Sequence, residues 1–384
     1  MSTQMDTFFH DVGQGDCTHI EAGEPSTDNW QIFLIDFGFK PGDYPGESPS
    51  QSTLIVLVDR ITEISIERGK NKPYLDHLFI THSDGDHWNM LANLVTGTDE
   101  NGDNLWEAKW PDDTTLEIGK ITYGGEESEY RNKGYGWDTI KNACRTPVLP
   151  LGPAAHDEML IDETVTPSWP YLNGELKIYL IGANIPTRAS RDPNLKSVML
   201  LIEFKGRKLI LLGDGEAGKF YENYLEGWYP EDSNFLNCTA VKLGHHGSRS
   251  GTTDAWATAT KPEAAFVSSG YGYSHPYCVA IRAIRSAGTI KNAFYHWLTC
   301  SDGLNHPYGQ QNTQENIFSN LWYVVTDREV SAENNAGKIK KKSYGMFVGV
   351  TYLMQWFDDP NDDSFAFSPF DNVWPGQNKP ITIL

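Results

Sequence analysis

Thr81-His82-Ser83-Asp84-Gly85-Asp86-His87 places four metal-capable side chains, His82, Asp84, Asp86 and His87, within six residues. The run before it, residues 75–81 (L-D-H-L-F-I-T), is apolar and short, which predicts a buried strand. Residues 88–95 behind it carry a helical pattern. The cluster therefore sits at the C-terminal end of a strand and opens a helix, where α/β structures place their sites. A helix would splay these side chains around its circumference, whereas a loop leaving a strand can aim them at one point. Histidine nitrogen mixed with aspartate oxygen suits zinc, manganese or iron better than calcium, which prefers oxygen alone. A polar turn with Asp86 as helix N-cap would explain one aspartate, but not the remaining three ligand-type residues.

Further strand ends carry the same kinds of residue. Residues 209–216 (L-I-L-L-G-D-G-E) deliver Asp214 between glycines. Alone it reads as a turn aspartate; beside the cluster it reads as a carboxylate able to bridge two metals. Residues 241–248 (V-K-L-G-H-H-G-S) end a strand in Gly244, His245 and His246. One histidine is a candidate ligand, and the other a phosphate contact or general acid. Residues 270–276 (G-Y-G-Y-S-H-P) place His275 in a Gly/Tyr loop, as a ligand or substrate contact.

Around these points the chain reads as strands and short helices. Residues 7–12, 17–21 and 31–37 (Q-I-F-L-I-D-F) form strands, residues 39–52 a turn-rich loop, and residues 53–67 an amphipathic helix. Residues 97–170 are polar, rich in Gly, Asp, Trp and Pro, and read as an insertion with a few short elements such as 117–123. A strand-rich half follows: 176–181, a hairpin of 198–204 and 208–212, 239–243 and 264–268, with helices at 218–225 and 279–287. The tail beyond residue 300 is an extension, expected to pack on the main body, with a basic run at 338–342 and an aromatic, strand-like run at 344–357. Trp88, Trp106, Trp110 and Trp137 are candidates to stack on a base or a choline-like group, although Trp more commonly fills a core.

Composition narrows the function classes. The 384 residues carry a net charge of −20, which argues against broad binding of a phosphate backbone. It leaves room for an enzyme whose bound cation supplies positive charge locally. Five widely spaced cysteines with no C-x-x-C pair predict free thiols and no cysteine-based zinc knuckle. No basic n-region with an apolar h-region opens the sequence, and no run approaches a membrane span, so a cytoplasmic protein is expected.

The order D-V-G-Q-G-D (11–16), L-I-D-F-G (34–38), T-H-S-D-G-D-H (81–87), N-L-K-S-V-M-L (194–200), L-L-G-D, G-H-H-G-S and S-H-P closely resembles the metallo-β-lactamase domain of the ComEC/Rec2 competence family. The likeness covers roughly residues 5–290 of the chain. It implies a four-layer αββα sandwich, an α+β fold, over residues 1–300, with the insertion and the extension added to it. It implies one metal half-site from His82 and Asp84 and another from Asp86 and His87. Asp214 would bridge them, and His245 or His246 would complete the set. The wider superfamily has a third histidine ahead of the bridging aspartate; Asn194 and Ser197 stand in that region instead. Asp11, Asp16 and Asp36 are expected to orient ligands or meet substrate, and Ser248, with the neighbouring glycines, to offer backbone N–H groups to a phosphate. One or two divalent ions, zinc or manganese, would activate water. Asp86, His246 and His275 are the residues counted on for catalysis, with His246 or His275 protonating the leaving oxygen. The expected activity is that of a phosphodiesterase or nuclease on a phosphate ester, a nucleotide or nucleic acid. The alternatives are a lactam, lactone or thioester hydrolase of the same fold, or a binding module that kept the fold and lost catalysis.

Overall fold

Residues 31–37, the most apolar run near the start of the chain, form a strand buried along nearly its whole length. The computed structural model describes residues 3–10, 12, 15–24, 29–40, 49–107, 109–111, 114–151, 168–183, 193–216, 234–268, 275–289, 292–295, 351–356 and 365–370. Asp11, the expected helix at 218–225, the loop at 270–274 and the basic run at 338–342 lie outside these residues. The chain divides into two units: Met1–Pro41, Glu47–Pro150 and Phe347–Leu384 make the first, and Gly42–Gly46 with Leu151–Met346 the second.

The first unit begins with β1 (Gln4–Phe9), β2 (Cys17–Gly23) and β3 (Gln31–Phe37), each antiparallel to the next. Helix α1 (Pro49–Glu67) follows, then β4 (Tyr74–Ile80), which lies parallel to β3. The helix starts four residues before the expected 53. Pro49-Ser50-Gln51-Ser52 reads as loop because its residues favour turns, yet proline is well suited to a first helical turn, where its missing N–H has no partner to lose. Leu54, Leu57, Val58, Ile61 and Ile64 recur at helical spacing and are all buried in one core cluster that also holds Ile32 and Leu34 of β3. Burying five such side chains stabilises the pair by roughly 10 kcal/mol before entropy is counted. The alternate residues Phe33 and Ile35 are buried outside this cluster, so β3 is covered on both faces.

Two short helices come next, α2 (Gly85–Trp88) and α3 (Leu91–Thr96), where the sequence suggested one continuous helix. The break falls at Asn89, whose side chain bonds both the N–H and the C=O of Phe39. Strand β5 (Glu117–Gly124) joins the sheet parallel to β4. Helices α4 (Glu127–Arg131) and α5 (Trp137–Asn142) and strand β6 (Leu149–Leu151) follow. The polar stretch 97–170 thus supplies a full strand of the sheet. Trp88, Trp106, Trp110 and Trp137 all lie in this unit's core, so none is placed to stack on a ligand.

The second unit holds β7 (Trp169–Tyr171), β8 (Leu176–Gly182), β9 (Met199–Phe204), β10 (Arg207–Leu211), β11 (Ala240–Lys242), β12 (Ala264–Val267) and β13 (Asn292–Tyr295) in one mixed sheet, in that order. Strands β7 to β10 run antiparallel, and β10 to β13 parallel. Helices α6 (Asp254–Thr260) and α7 (Cys278–Ser286) cover one face. Trp256, Ile281 and Ile284 pack there on Ile210, Val241 and Ala265. The chain then returns to the first unit. Strand β14 (Thr351–Trp356) pairs antiparallel with β1, and β15 (Phe365–Phe370) with β14, giving an eight-stranded mixed sheet.

On β2, His19 and Glu21 form a buried polar chain. The His10 Nε2 and His19 Nδ1 atoms are 2.6 Å apart, and His19 Nε2 is 3.0 Å from Glu21. Arg60 of α1 donates twice to the same carboxylate, at 2.8 and 2.5 Å. Burial alone would raise the Glu21 carboxyl, but hydrogen bonds from Arg60 and His19 outweigh it and hold the pKa at about 2. Cys17, Cys144 and Cys238 are free thiols. Burial pushes the Cys17 and Cys238 thiols up, which keeps them protonated and unreactive. Among the described residues, no helix is long and apolar enough to cross a membrane.

Candidate metal centre

In the first unit the cluster leaves the end of β4 as the sequence suggested, and its backbone is tied down on all sides. The Asp16 N–H donates to Asp86 O at 3.1 Å, Gly38 N–H to Asp16 O at 3.1 Å, and Met90 N–H to Phe37 O at 3.1 Å. This lacing explains the glycines of the first two motifs. A Cβ on Gly15 would collide with the carbonyl oxygen of Gly38 and lie 2.8 Å from that of Asp86. On Gly38 it would lie 2.5 Å from the Trp88 nitrogen. Only glycine lets these backbones approach so closely.

Thr81 organises the histidines. Its N–H donates to Asp36 Oδ1 at 2.7 Å, and its hydroxyl to Asp36 Oδ2 at 2.7 Å. A carboxylate only accepts, so the single hydroxyl proton goes to Asp36. The Thr81 oxygen must then accept from His82 Nδ1, 3.1 Å away. His87 Nδ1 lies 2.8 Å from Asp36 Oδ2 and donates to it. Both rings thus carry a proton on Nδ1, so in the neutral imidazole Nε2 is the bare nitrogen, the form a metal requires. The two imidazoles are buried, with centroids 4.2 Å apart. Asp36 holds this position in the left-handed region, at φ 59°, a conformation aspartate tolerates better than most residues.

Asp16, Asp36 and His87 bring buried ligand-type atoms within 4.8 Å of one another. Asp16 stands 3.8 Å from His87 Nδ1. Asp84, not Asp86, is the N-cap of α2, and its side chain makes no capping bond. One of its oxygens pairs with Lys133 Nζ at 2.8 Å, and the other lies 3.8 Å from His82 Nε2. Asp86 lies in the first turn of α2, partly exposed.

In the second unit Asp214 follows β10 and is buried. His246 Nε2 is 3.4 Å from Asp214 Oδ1, and His245 Nε2 is 3.7 Å from Asp214 Oδ2. His246 Nδ1 donates to the carbonyl of Ser268 at 2.8 Å, so in the neutral ring Nε2 is again the bare nitrogen. His246 is buried, whereas His245 is 26% exposed and has Asn194 Nδ2 3.3 Å from its Nε2. The two histidines therefore differ in both exposure and hydrogen-bond partners. Residues 245, 246 and 247 all have positive φ, at 50°, 51° and 76°. For the two histidines that conformation costs of order 1–3 kcal/mol each, and it turns both rings to the Asp214 side of the strand end. The ring of His275 lies 5.5 Å from that of His245 and 6.1 Å from that of His246.

Ser197 is buried behind Asn194 and donates its N–H to Asn194 O at 3.1 Å. Ser248 does not offer its N–H to a ligand: that group donates to His245 O at 2.8 Å, and Gly247 N–H to Gly244 O at 3.1 Å. The Ser248 hydroxyl accepts from Gly251 N–H at 3.1 Å. The turn closes on itself. Thr81 and Ser268 are the partners that sequence reasoning missed. Thr81 stood inside the quoted motif, but nothing marks a threonine as an orienting group; the carbonyl of Ser268 belongs to the backbone and leaves no sequence signal.

No family model matches the chain, and no curated protein matches it. Among solved structures it is similar to a variant of the CmlA β-hydroxylase at 13% identity and TM-score 0.35, over 83% of this chain and 52% of that one. It therefore spans about half the length of that protein. It is similar to Zn(2+)-bound PqqB from Methylobacterium extorquens at 10% identity and TM-score 0.35, over 84% and 98% of the two chains. A diphosphatase from the PhnP family is similar at 10% identity and TM-score 0.30, over 77% and 86%.

Proposed function

We propose that this chain is a metal-dependent hydrolase of the metallo-β-lactamase fold that cleaves phosphate esters, as a phosphodiesterase or nuclease. The observation that carries the reading is the Asp36–Thr81 relay, which fixes His82 and His87 with Nε2 bare at the end of one strand. Evolution of a structural turn has no need to set two buried imidazoles in the same tautomer; metal ligation does. The donor set, imidazole nitrogen with carboxylate oxygen, fits zinc or manganese.

His82, Asp84, Asp86 and His87 in the first unit, and Asp214 and His246 in the second, are assigned as ligands. A divalent ion held by such residues would supply a nucleophile at neutral pH and polarise a phosphoryl oxygen. The remaining steps belong to the chain. Asp36 keeps His87 oriented, and the carbonyl of Ser268 does the same for His246. His245, half-exposed beside Asn194 and His275, is assigned as substrate contact, and His275 as the group that gives a proton to the leaving oxygen. The chemistry is assigned to residues 1–300, in the cytoplasm.

The test is metal analysis of the purified chain, followed by turnover of a chromogenic phosphodiester and a chromogenic lactam with zinc or manganese. Metal with phosphodiester turnover supports the reading. Lactam turnover alone would move it to the other hydrolases of this fold. Absence of transition metal would favour a binding module.

A further inference from the structure

Lys133 stands beside the cluster on an element that the ligand assignment does not use. It follows α4 in the sequence Lys133-Gly134-Tyr135-Gly136, and its ammonium meets Asp84 Oδ1 at 2.8 Å. An ammonium has three N–H donors. One goes to Asp84, and among the described residues no other acceptor takes the remaining two. The side chain is 34% exposed.

The turn that carries Lys133 is built to hold it there. Gly134 and Gly136 adopt φ of 74° and 76°, which lets the chain reverse on both sides of Tyr135. The Tyr135 ring covers Gly85 inside the metal motif: a Cβ on Gly85 would meet Tyr135 Cε2 at 3.0 Å. The same ring packs edge-on against Trp88, with centroids 5.2 Å apart. The flanking helices are locked together, because Glu127 accepts from Lys141 at 2.8 Å, from Arg131 at 2.7 Å and from Trp137 Nε1 at 3.2 Å. Motif, turn and helices thus form one packed assembly within the first unit.

We infer that Lys133 is a substrate-positioning residue whose ammonium binds an anionic oxygen of the substrate's phosphate group. The inference rests on the metal-hydrolase reading. A chain of net charge −20 repels a phosphodiester at long range, and the motif itself adds Asp84 and Asp86. A fixed, half-exposed ammonium at that spot offsets the repulsion where the substrate must sit. Lysine suits the task because its charge is compact and its donors rotate to meet oxygens of varied geometry. The Asp84 pair keeps the ammonium in place between turnovers.

The test uses the full chain loaded with manganese, comparing the wild type with Lys133→Gln and Lys133→Arg. Three quantities are read: KM and kcat for bis(4-nitrophenyl) phosphate, the dissociation constant of inorganic phosphate by calorimetry, and metal content. In Lys133→Gln, KM and the phosphate dissociation constant should both rise about tenfold. The value of kcat should change by less than about threefold, since ground-state and transition-state binding are lost together. Metal content should be unchanged, and Lys133→Arg should recover part of the phosphate affinity. Equal phosphate binding by the wild type and Lys133→Gln overturns the inference and leaves the hydrolase reading intact if turnover persists. Loss of metal from Lys133→Gln also overturns it, because the lysine would then be supporting the ligands. A wild type that takes up no metal sinks the hydrolase reading and this inference with it.

Discussion

Asp36 touches three groups at once: the Thr81 N–H, the Thr81 hydroxyl and the His87 ring. Removing it as Asp36→Ala should therefore weaken metal binding about 10- to 100-fold, measured by competition with a chromophoric chelator, while far-ultraviolet circular dichroism stays native. Unchanged affinity would mean that the relay has no orienting role. Asp86→Ala is expected to abolish hydrolysis with the fold intact; full turnover in that variant would remove Asp86 from the ligand set. Asp214→Asn should lower metal content from about two ions to about one if this carboxylate bridges two ions as the sequence resemblance implies, and retention of both would argue against bridging. The ligand-type residues were legible because histidine and aspartate at a strand end carry their chemistry in their names. The groups that orient them were harder to see. A threonine hydroxyl and a backbone carbonyl are ubiquitous, and only coordinates show which ring nitrogen they meet.

Strand ends place the reactive residues, and glycines make the ends approachable. Gly38 and Gly69 offer a contrast. A Cβ at Gly38 would press on the backbone at Asp86 and Trp88, whereas Gly69, at φ 62°, has nothing within 4 Å. Gly38→Ala should lose about 3 kcal/mol or more and disturb metal binding, since backbone cannot rotate away as a side chain can. Gly69→Ala should lose only about 1–2 kcal/mol, from the left-handed backbone alone, with metal affinity unchanged. Urea unfolding and metal titration of both variants would check this, and equal losses would refute the packing argument. The sequence announced the helix at Leu54 to Ile64 and the strands β3 and β4 through apolar spacing, which depends on local residues alone. It missed the first turn of α1 and the break at Asn89. There the outcome was decided by a proline's fitness for a first helical turn and by a side-chain contact to Phe39 across fifty positions of sequence.

For the whole molecule the clearest expectation is acid sensitivity in two stages. Burial lowers the pKa of His77 well below 6.5 and, against the pull of Glu21, lowers that of His19 from 6.5. Groups kept neutral in the fold take up protons more readily when unfolded, so their contribution is complete above 6.5 and is lost as pH falls beneath it. The depressed carboxyl of Glu21 acts lower down: its contribution is complete above 4.5 and is lost as pH falls toward about 2. Urea midpoints should fall from about pH 7 to about pH 5, then fall again further down, and Glu21→Gln should flatten the second stage. A single transition unaffected by that variant would show that the buried chain from His10 to Arg60 does not set the response. This polar chain was unreadable beforehand, because His19 and Glu21 look like the solvent side of an alternating strand.

The pairing of β1 with β14 has a consequence for biosynthesis. Met5 to Phe9 hydrogen-bond along Tyr352 to Trp356, so β1 leaves the ribosome long before the strand it pairs with. At roughly 5–20 residues per second that interval is on the order of tens of seconds. Throughout it, a nascent strand ending in two phenylalanines has an unmatched edge, the kind of surface that recruits strands from other chains. Deleting residues 347–384 would make the interval permanent. Such a chain should partition into the insoluble fraction and bind chaperones during translation, whereas the chain that keeps these residues is released from them once β14 has emerged.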